Sequence, residues 1–189
     1  MFRTVPSRIV AFVIVAVALL RVHVAAQGIP TFERYIVTNA IYHEATDMVE
    51  LPDSDLVFSG YVHFAGGISD GLLMRTDKNA QLEWMRTYSS PDGPVELKRT
   101  VFTNGSLYVL GDQAGVILSK LDTSGAPQWA KRLSFGPRTL SRQLQQTLDG
   151  NLLVAATDSI GTILTRLDVN GVLMATPPRA VPARETGLH

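Results

Sequence analysis

The sequence predicts an all-β fold built from about three repeated units of four antiparallel strands. Two observations predict it. An apolar run, a basic residue and a turn aspartate recur at Asp77, Asp122 and Asp168, at intervals of 45 and 46 residues, which suits a four-stranded unit better than a helical-pair or leucine-rich repeat. Each apolar run is also only about six residues long, as expected for a buried strand and too short for a typical helix.

The chain opens on a predicted signal peptide, residues 1–26. Arg3 and Arg8 precede an apolar run from Ile9 to Leu20, and the small residues Ala25 and Ala26 follow. This order is typical of a cleaved secretory leader. The alternative is a retained membrane anchor, but the run ends short of the roughly 20 apolar residues that span a bilayer. We therefore expect a secreted or extracytoplasmic protein cleaved near Ala26.

Charge and cysteine content exclude several classes of partner and chemistry. Lysine plus arginine and aspartate plus glutamate both number 17, which does not favour a nucleic acid or an anionic membrane as partner. There is no cysteine, so disulfides, thiol catalysis and thiolate metal sites are excluded. Burial and strand pairing must stabilise the fold.

The remaining chain divides into a repeat domain, residues 27–175, and a Pro-rich tail, residues 176–189, that we expect to be disordered. The units run from about 41 to 90, 91 to 135 and 136 to 175. Before them, TFERYIV predicts an N-terminal orphan strand. Its Phe32 stands about where Trp84 and Trp129 stand relative to the following unit.

Turn signals separate the strands within each unit. Asn104-Gly105 and Asp149-Gly150 predict two-residue hairpins, and Asp53-Ser54 is a weaker signal of the same kind. Asp122 and Asp168 begin type I turns that end on Gly125 and Gly171. The first copy has Ala80 there, so we expect the left-handed residue to shift to Asn79.

The second unit shows the predicted strand order most clearly. Its four strands are expected at about Glu96 to Phe102, Leu107 to Gly111, Val116 to Leu121 and Pro127 to Leu133.

The motifs TLDGNLLVAA, KLDTSGAPQW and RLDVNGVLMA resemble the short β-propeller repeats of secreted proteins, in the quinoprotein and kelch-like propeller class. The resemblance covers roughly Phe32 to Ala175 and departs from the pattern at Ala80 and Ala175. It implies an incomplete β-propeller-like array of about three four-stranded antiparallel blades plus the orphan strand, because closed rings typically have four to eight blades. Something must cover the open ends: self-association, a partner chain, or the missing blades of a longer parent protein.

Two repeated features have alternative interpretations. Trp84 and Trp129 could stack on a sugar or a quinone, but a large aromatic residue at one position per unit favours packing between units. The basic residues Arg75, Lys120 and Arg166 favour local ion pairing or solvation over an anion site.

Other polar residues give weaker hypotheses. His43, Glu44 and Asp47 do not match a zinc spacing, and Asp53 and Asp55 lack the rest of a calcium loop. We therefore expect no metal.

The segment HFAGGISDG is the candidate binding loop. It contains His63, Phe64 and Asp70 and represents most of an insertion in the first unit, and insertions of this kind often line a binding face. In addition, Asn104-Gly105-Ser106 is a candidate glycosylation site if the host is eukaryotic.

Catalytic motifs are lacking: there is no GxSxG elbow, P-loop or GxGxxG. The sequence therefore predicts a non-enzymatic binding or assembly module without a cofactor. The alternatives are a relative or fragment of a quinone-dependent dehydrogenase, for which the chain is too short to enclose the cofactor, and a truncated product without independent function.

Overall fold

The computed structural model describes residues 40–67, 69–136, 138–174 and 181–182. All regular structure in these ranges is β, and no helix occurs in them, so the predicted all-β class is confirmed. The signal peptide, the orphan strand and most of the Pro-rich tail lie outside the described residues.

The strands form three antiparallel sheets, each in sequence order. Sheet 1 contains β1 (Tyr42–Glu50), β2 (Leu56–His63), β3 (Ser69–Thr76) and β4 (Leu82–Tyr88). Sheet 2 contains β5 (Glu96–Thr103), β6 (Ser106–Asp112), β7 (Val116–Leu121) and β8 (Pro127–Arg132). Sheet 3 contains β9 (Leu140–Gln146), β10 (Leu152–Thr157), β11 (Gly161–Leu167) and the two-residue β12 (Val181–Pro182).

The four strands predicted for the second unit are confirmed within one residue at each end. Sheet 3 differs, because it has three long strands and only a short fourth one. That fourth strand, β12, comes from the predicted disordered tail and pairs Val181 with Thr162 of β11. This two-residue stretch therefore departs from the expectation of disorder.

Sheet 2 lies between the other two sheets, which explains why β6 is buried along almost its whole length. Because side chains alternate across a strand, Leu107 and Val109 pack in one cluster with Val57 and Leu73 of sheet 1. Tyr108 and Leu110 point to the other face and pack with a second set, from sheet 3, formed by Leu144, Leu152, Val154, Ala156 and Leu167. Each fully buried leucine or valine contributes about 1.5–3 kcal/mol, so the two clusters hold the three sheets together.

Five hairpins use one and the same five-residue turn. In each, the N–H of the first residue bonds to the C=O of the fifth, and the N–H of the fourth bonds to the C=O of the first. The five turns are Leu51 to Asp55, Asp77 to Gln81, Asp122 to Ala126, Thr147 to Asn151 and Asp168 to Val172.

The fourth residue of these turns is always left-handed, and three predictions are wrong for that reason. Asp149-Gly150 and Asp53-Ser54 are each part of a five-residue turn, with φ +82° at Gly150 and +69° at Ser54, and are not two-residue hairpins. In the first aspartate turn Ala80 itself takes φ +58°, so the left-handed position does not shift to Asn79. Asn104-Gly105 does form a two-residue connection, between the paired Thr103 and Ser106.

The turn aspartates make the same hydrogen bonds in all three sheets. One carboxylate oxygen accepts the N–H groups of the residues two and four positions later, at 2.7–2.9 Å. These bonds lower the pKa of Asp122, where the Ser124 hydroxyl contributes most, and that of Asp168, where the Val172 N–H does. The repeated aspartate is therefore a structural residue.

The first strand of every sheet contains one bulged residue: Thr46 in β1, Lys98 in β5 and Arg142 in β9. A glycine stands opposite the bulge in sheets 1 and 2, at Gly60 and Gly111. A Cβ on Gly111 would lie 2.5 Å from the carbonyl oxygen of Glu96, which explains the glycine there. Bulges redirect side chains, and these three occur at equivalent positions along the sheets.

Candidate functional site

The two tryptophans lie at the contacts between consecutive sheets. A Cβ placed on Gly125 would be 3.0 Å from Cη2 of Trp84, and one on Gly171 would be 2.8 Å from Cη2 of Trp129. Each ring thus lies directly on the fourth residue of the aspartate turn in the next sheet, and both glycines are buried. This geometry favours packing between units over stacking on a ligand.

A basic residue two positions after each tryptophan binds the same turn. Nε of Arg86 donates to the carbonyl oxygen of Ser124 at 2.7 Å, and Nζ of Lys131 donates to that of Asn170 at 2.6 Å. We call this combination of an aromatic residue, the basic residue two positions later and the aspartate turn of the next sheet the aromatic–turn junction. It occurs between sheets 1 and 2 and again between sheets 2 and 3.

The basic residues before the turn aspartates have local partners. Arg75 contacts Asp53 at 2.7 Å, Asp55 at 2.6 Å and Glu83 at 2.8 Å. Arg166 pairs with Asp149, and Lys120 lies 5.6 Å from the ring centroid of Tyr108. Arg75 therefore forms ion pairs with Asp53 and Asp55, the two carboxylates considered above as calcium ligands.

A polar cluster lies at the opposite end of sheet 1. The carboxylate of Glu44 accepts hydrogen bonds from the hydroxyl groups of Tyr61 at 2.6 Å and Tyr42 at 2.8 Å. These bonds lower the pKa of Glu44, with the bond from Tyr61 contributing most, and they raise the pKa of both tyrosines. The His63 ring lies 5.2 Å from the Tyr61 ring and 5.7 Å from the Tyr42 ring.

The predicted binding-loop residues are only partly brought together. His63 is the last residue of β2, and its Nδ1 lies 2.6 Å from Oγ of Ser69. Phe64 follows it and is half-buried. Asp70 lies inside β3, paired with Val62 and next to Ser69, so it belongs to a strand and not to the loop.

The polar cluster continues from sheet 1 to sheets 2 and 3. Nζ of Lys98 lies 4.7 Å from the Tyr61 ring centroid and 2.8 Å from the carboxylate of Glu96. Beside it is a cavity of about 250 Å³, which we call the polar cleft; its lining residues are Glu96, Lys98, Arg99, Asp112, Leu140, Ser141 and Arg142.

The bulges supply two of the cations of the polar cleft. Lys98 and Arg142 are both bulged residues, and Arg99 next to Lys98 bonds to the side-chain oxygen of Gln143 at 3.0 Å. Asp112 accepts the N–H of Ser141 at 2.8 Å, and burial raises its pKa against the effect of that bond. The cleft therefore offers hydrogen-bond donors and acceptors of both charge signs.

The residues considered as metal ligands have other roles. Glu44 is bonded to two tyrosines, and Oδ2 of Asp47 accepts the N–H of Thr100 at 2.8 Å. Within the described ranges, no group of three or more histidine, aspartate or glutamate residues is arranged to hold a metal ion.

A second cavity, of about 160 Å³, lies between sheets 1 and 2. Its walls are mainly apolar and include Leu73, Val95, Val109 and Ile117. These side chains belong to the cluster that joins the two sheets, so the cavity is part of the packing and offers little to orient a polar ligand.

Asn104 is exposed at the tip of the hairpin between β5 and β6, whereas Ser106 of the same sequon is buried.

Comparisons with known proteins add no family to this description: no protein-family model matches the chain, and no curated protein matches it in sequence. In the part of the chain that the structure describes, no helix has the length and apolar character needed to cross a membrane.

Proposed function

We propose that this chain is an exported, non-enzymatic binding module whose three sheets are blades of a propeller-like array, with the polar cleft as its binding surface. The observation that carries the proposal is the contrast between the two ends of the sheets. One end repeats the same turn and the same junction, whereas the other gathers Tyr61, Lys98 and Asp112, which differ from the residues at the equivalent positions of the other sheets.

A saccharide is the ligand class that suits the polar cleft best. The cleft combines three cations with two carboxylates, and Lys98 is already paired with Glu96, so neither a strong anion nor a strong cation is favoured. Hydroxyl groups both donate and accept hydrogen bonds, which matches side chains of both kinds. Leu140, which is 48% exposed, adds apolar surface to the lining of the cleft.

Titration with a panel of neutral, acidic and basic oligosaccharides, followed by calorimetry, tests the ligand class. We expect a neutral oligosaccharide to bind, Lys98→Met to abolish the binding heat, and Lys120→Met to leave it unchanged, because Lys120 lies outside the cleft. Binding of acidic members alone, or of none, would contradict the proposal.

Assembly is the second part of the proposal, because apolar side chains on the outer faces of sheets 1 and 3 are partly exposed. Leu56 and Phe58 of sheet 1 are half-buried, although the matching residues of sheet 2, Leu107 and Val109, are buried. On sheet 3, Leu164 is 46% exposed. Two copies of three blades give six, within the four to eight of closed propellers.

Light scattering after size-exclusion chromatography of the exported protein tests assembly. We expect twice the chain mass and an N-terminus near Gln27. A stable monomer would contradict self-association, and a retained leader would contradict export as a cleaved protein.

A further inference from the structure

The cavity of about 160 Å³ between sheets 1 and 2 interrupts an otherwise packed cluster. Protein interiors contain few voids larger than a water molecule, so a void of this size needs an explanation. The apolar residues on its walls are each more than nine-tenths buried: Leu73, Val95, Leu97, Val109, Ile117 and Leu121. The void therefore lies inside the fold and is apolar on most sides.

Two small residues of sheet 2 leave part of this space open. Ser119 and Ala130 are paired across β7 and β8, and both line the cavity. The equivalent pair of sheet 1, across β3 and β4, is Met74 and Met85. Sheet 2 thus has a hydroxymethyl group and a methyl group where sheet 1 has two long side chains.

A third small residue of the cavity stands where the next sheet has an aromatic ring. Ser90 lines the cavity and follows Trp84 by six residues, and Phe135 follows Trp129 by six. Phe135 packs against the cluster between sheets 2 and 3. The contact between sheets 1 and 2 therefore lacks a ring that the chain itself supplies at the contact between sheets 2 and 3.

The cavity at this second contact shows the effect of that ring. Its volume is about 220 Å³ and its walls include Phe135. Among the described residues, its lining does not reach Val154 or Ile163, the counterparts of Val109 and Ile117. The ring of Phe135 thus accompanies a closed interior, whereas the interior beside Ser90 is open.

The size of the first cavity agrees with a single ring as its occupant. A buried apolar cavity of about 150 Å³, engineered into another protein, stays dry and binds benzene. An apolar void of nearly the same volume, at the place where a phenylalanine stands in the next sheet, therefore fits one benzene ring.

A polar group at one end of the cavity adds a requirement for the ligand. Oγ of Ser90 accepts hydrogen bonds from Nε2 of Gln113 and, at 3.1 Å, from the N–H of Asp92. These bonds use both lone pairs of the hydroxyl oxygen, and no acceptor for its proton is present in the described part of the chain, so the proton is available to a ligand. The side-chain oxygen of Gln113 is an acceptor at the same end. One donor and one acceptor match a phenolic hydroxyl group.

We propose that the cavity between sheets 1 and 2 binds a small uncharged phenol, with its ring between Leu73, Val109 and Ile117 and its hydroxyl group at Ser90 and Gln113. Both polar residues are half-buried, so the hydroxyl end lies toward solvent and the ring lies inside. This site goes beyond the proposed function, because the cavity and the polar cleft have no lining residue in common.

Phenol itself is the probe for a first test, by thermal unfolding of the exported chain. We expect phenol to raise the melting temperature in a saturable manner, as a ligand of the folded state does. Benzoate has the same ring but a charged group, and it should have no such effect because burial of an unpaired charge is costly. The absence of saturable stabilisation by phenol, or equal stabilisation by benzoate, would overturn the inference.

Filling the cavity from the chain itself is the second test. Ser90→Phe reproduces the ring of the next sheet and should abolish the binding of phenol. Ser159→Phe, at an exposed position of the turn between β10 and β11, is the matched control and should bind phenol as the unmodified chain does. Full phenol binding by a folded Ser90→Phe protein would refute the location.

Methyl NMR of the unmodified chain decides the location even where Ser90→Phe fails to fold. A ring in the cavity shifts the methyl signals of Val109 and Ile117 through its ring current, whereas those of Val154 and Ile163, at the other contact, should stay in place. Stabilisation by phenol without shifts at Val109 and Ile117 would place the ligand elsewhere and overturn the inference.

The role of the polar end is measured with Ser90→Ala. We expect this variant to bind phenol about fivefold more weakly, the loss of one hydrogen bond, and to bind benzene unchanged. An unchanged affinity for phenol would refute the hydrogen bond. Lys98→Met, the variant that tests the polar cleft, should bind phenol normally, so failure of the proposed function and failure of this inference are separable.

Discussion

The two ends of the sheets differ in what they repeat. At the turn end, the same five-residue turn and the same aromatic–turn junction recur from sheet to sheet. At the cleft end, paired strand positions hold Glu44 and Tyr61 in sheet 1, Glu96 and Asp112 in sheet 2, and Leu140 and Thr157 in sheet 3. The residues that recur at the turn end make a contact that every unit needs. The side chains at the cleft end differ between units, so they are the ones available to bind a ligand.

The largest expected difference in stability between the two ends comes from removing a junction tryptophan. We expect Trp129→Ala to destabilise the fold by about 3 kcal/mol, near the lower limit for aromatic truncation because the ring is only partly buried. Tyr42→Ala, at the cleft end, is the matched variant and should change stability by less than about 1 kcal/mol. Denaturant unfolding of both variants measures the difference, and equal effects would remove the distinction between the ends.

A smaller effect is expected when a methyl group is added beneath the tryptophan. Gly125→Ala should destabilise by about 1–3 kcal/mol, because the new Cβ crowds Trp84 and the backbone is left-handed. Gly105→Ala is the control, since its φ is also about +70° but no atom lies within 4 Å of its Cβ. The difference between the two variants measures the junction contact, and no difference would contradict it.

The sequence located the three aspartate turns correctly because their determinants are local, although it misjudged the turn length at Asp149-Gly150 and the left-handed residue at Ala80. An aspartate that bonds its own turn and a glycine that accepts positive φ act within five residues, so spacing alone locates them. The cleft end depends on the pairing of distant strands: Glu44 meets Tyr61 across β1 and β2, and Lys98 reaches that ring from sheet 2. No short sequence pattern encodes such a meeting.

The bulges were missed for a related reason. Only the glycines opposite them, Gly60 and Gly111, give a sequence signal, and that signal does not say which residue bulges. The placement of Asp70 in β3 likewise follows from the register of β2 and β3. The glycines of HFAGGISDG predict a loop but do not show where β3 begins.

As the pH falls, the carboxyl group of Asp122 at the turn end and that of Asp112 at the cleft end should change the stability of the fold in opposite directions. The pKa of Asp122 is lowered in the folded state, so its stabilisation is present at neutral pH and is lost as the pH falls through that lowered value. The pKa of Asp112 is raised by burial, so its contribution is present at low pH and is lost as the pH rises through the raised value. At neutral pH we expect Asp122→Asn to lower the melting temperature and Asp112→Asn to raise it slightly. Melting curves recorded between neutral pH and about pH 2 check both signs. Effects of the same sign would refute the opposite contributions of the two carboxyl groups.

The smallest effect is expected at the turn that departs from the glycine pattern. Ala80→Gly removes a left-handed alanine and should stabilise the protein by up to about 1 kcal/mol, because the relief of backbone strain exceeds the entropy that glycine adds to the unfolded chain. Lys78→Gly in the same turn, with no positive φ to relieve, is the control and should not stabilise. A loss of stability in Ala80→Gly would show that the methyl group is needed there.

The most direct test of the aromatic–turn junction is the coupling energy between its two sides, measured by denaturant unfolding of Trp84→Phe, Gly125→Ala and the double variant. The junction predicts that Gly125→Ala destabilises less once Trp84 is phenylalanine, with a coupling of about 1 kcal/mol, while the contacts of the new Cβ with Arg86 and Tyr88 and the strain of the left-handed backbone remain. Additive single effects, within about 0.5 kcal/mol, would show that the tryptophan does not rest on the turn and would contradict the repeated contact between sheets.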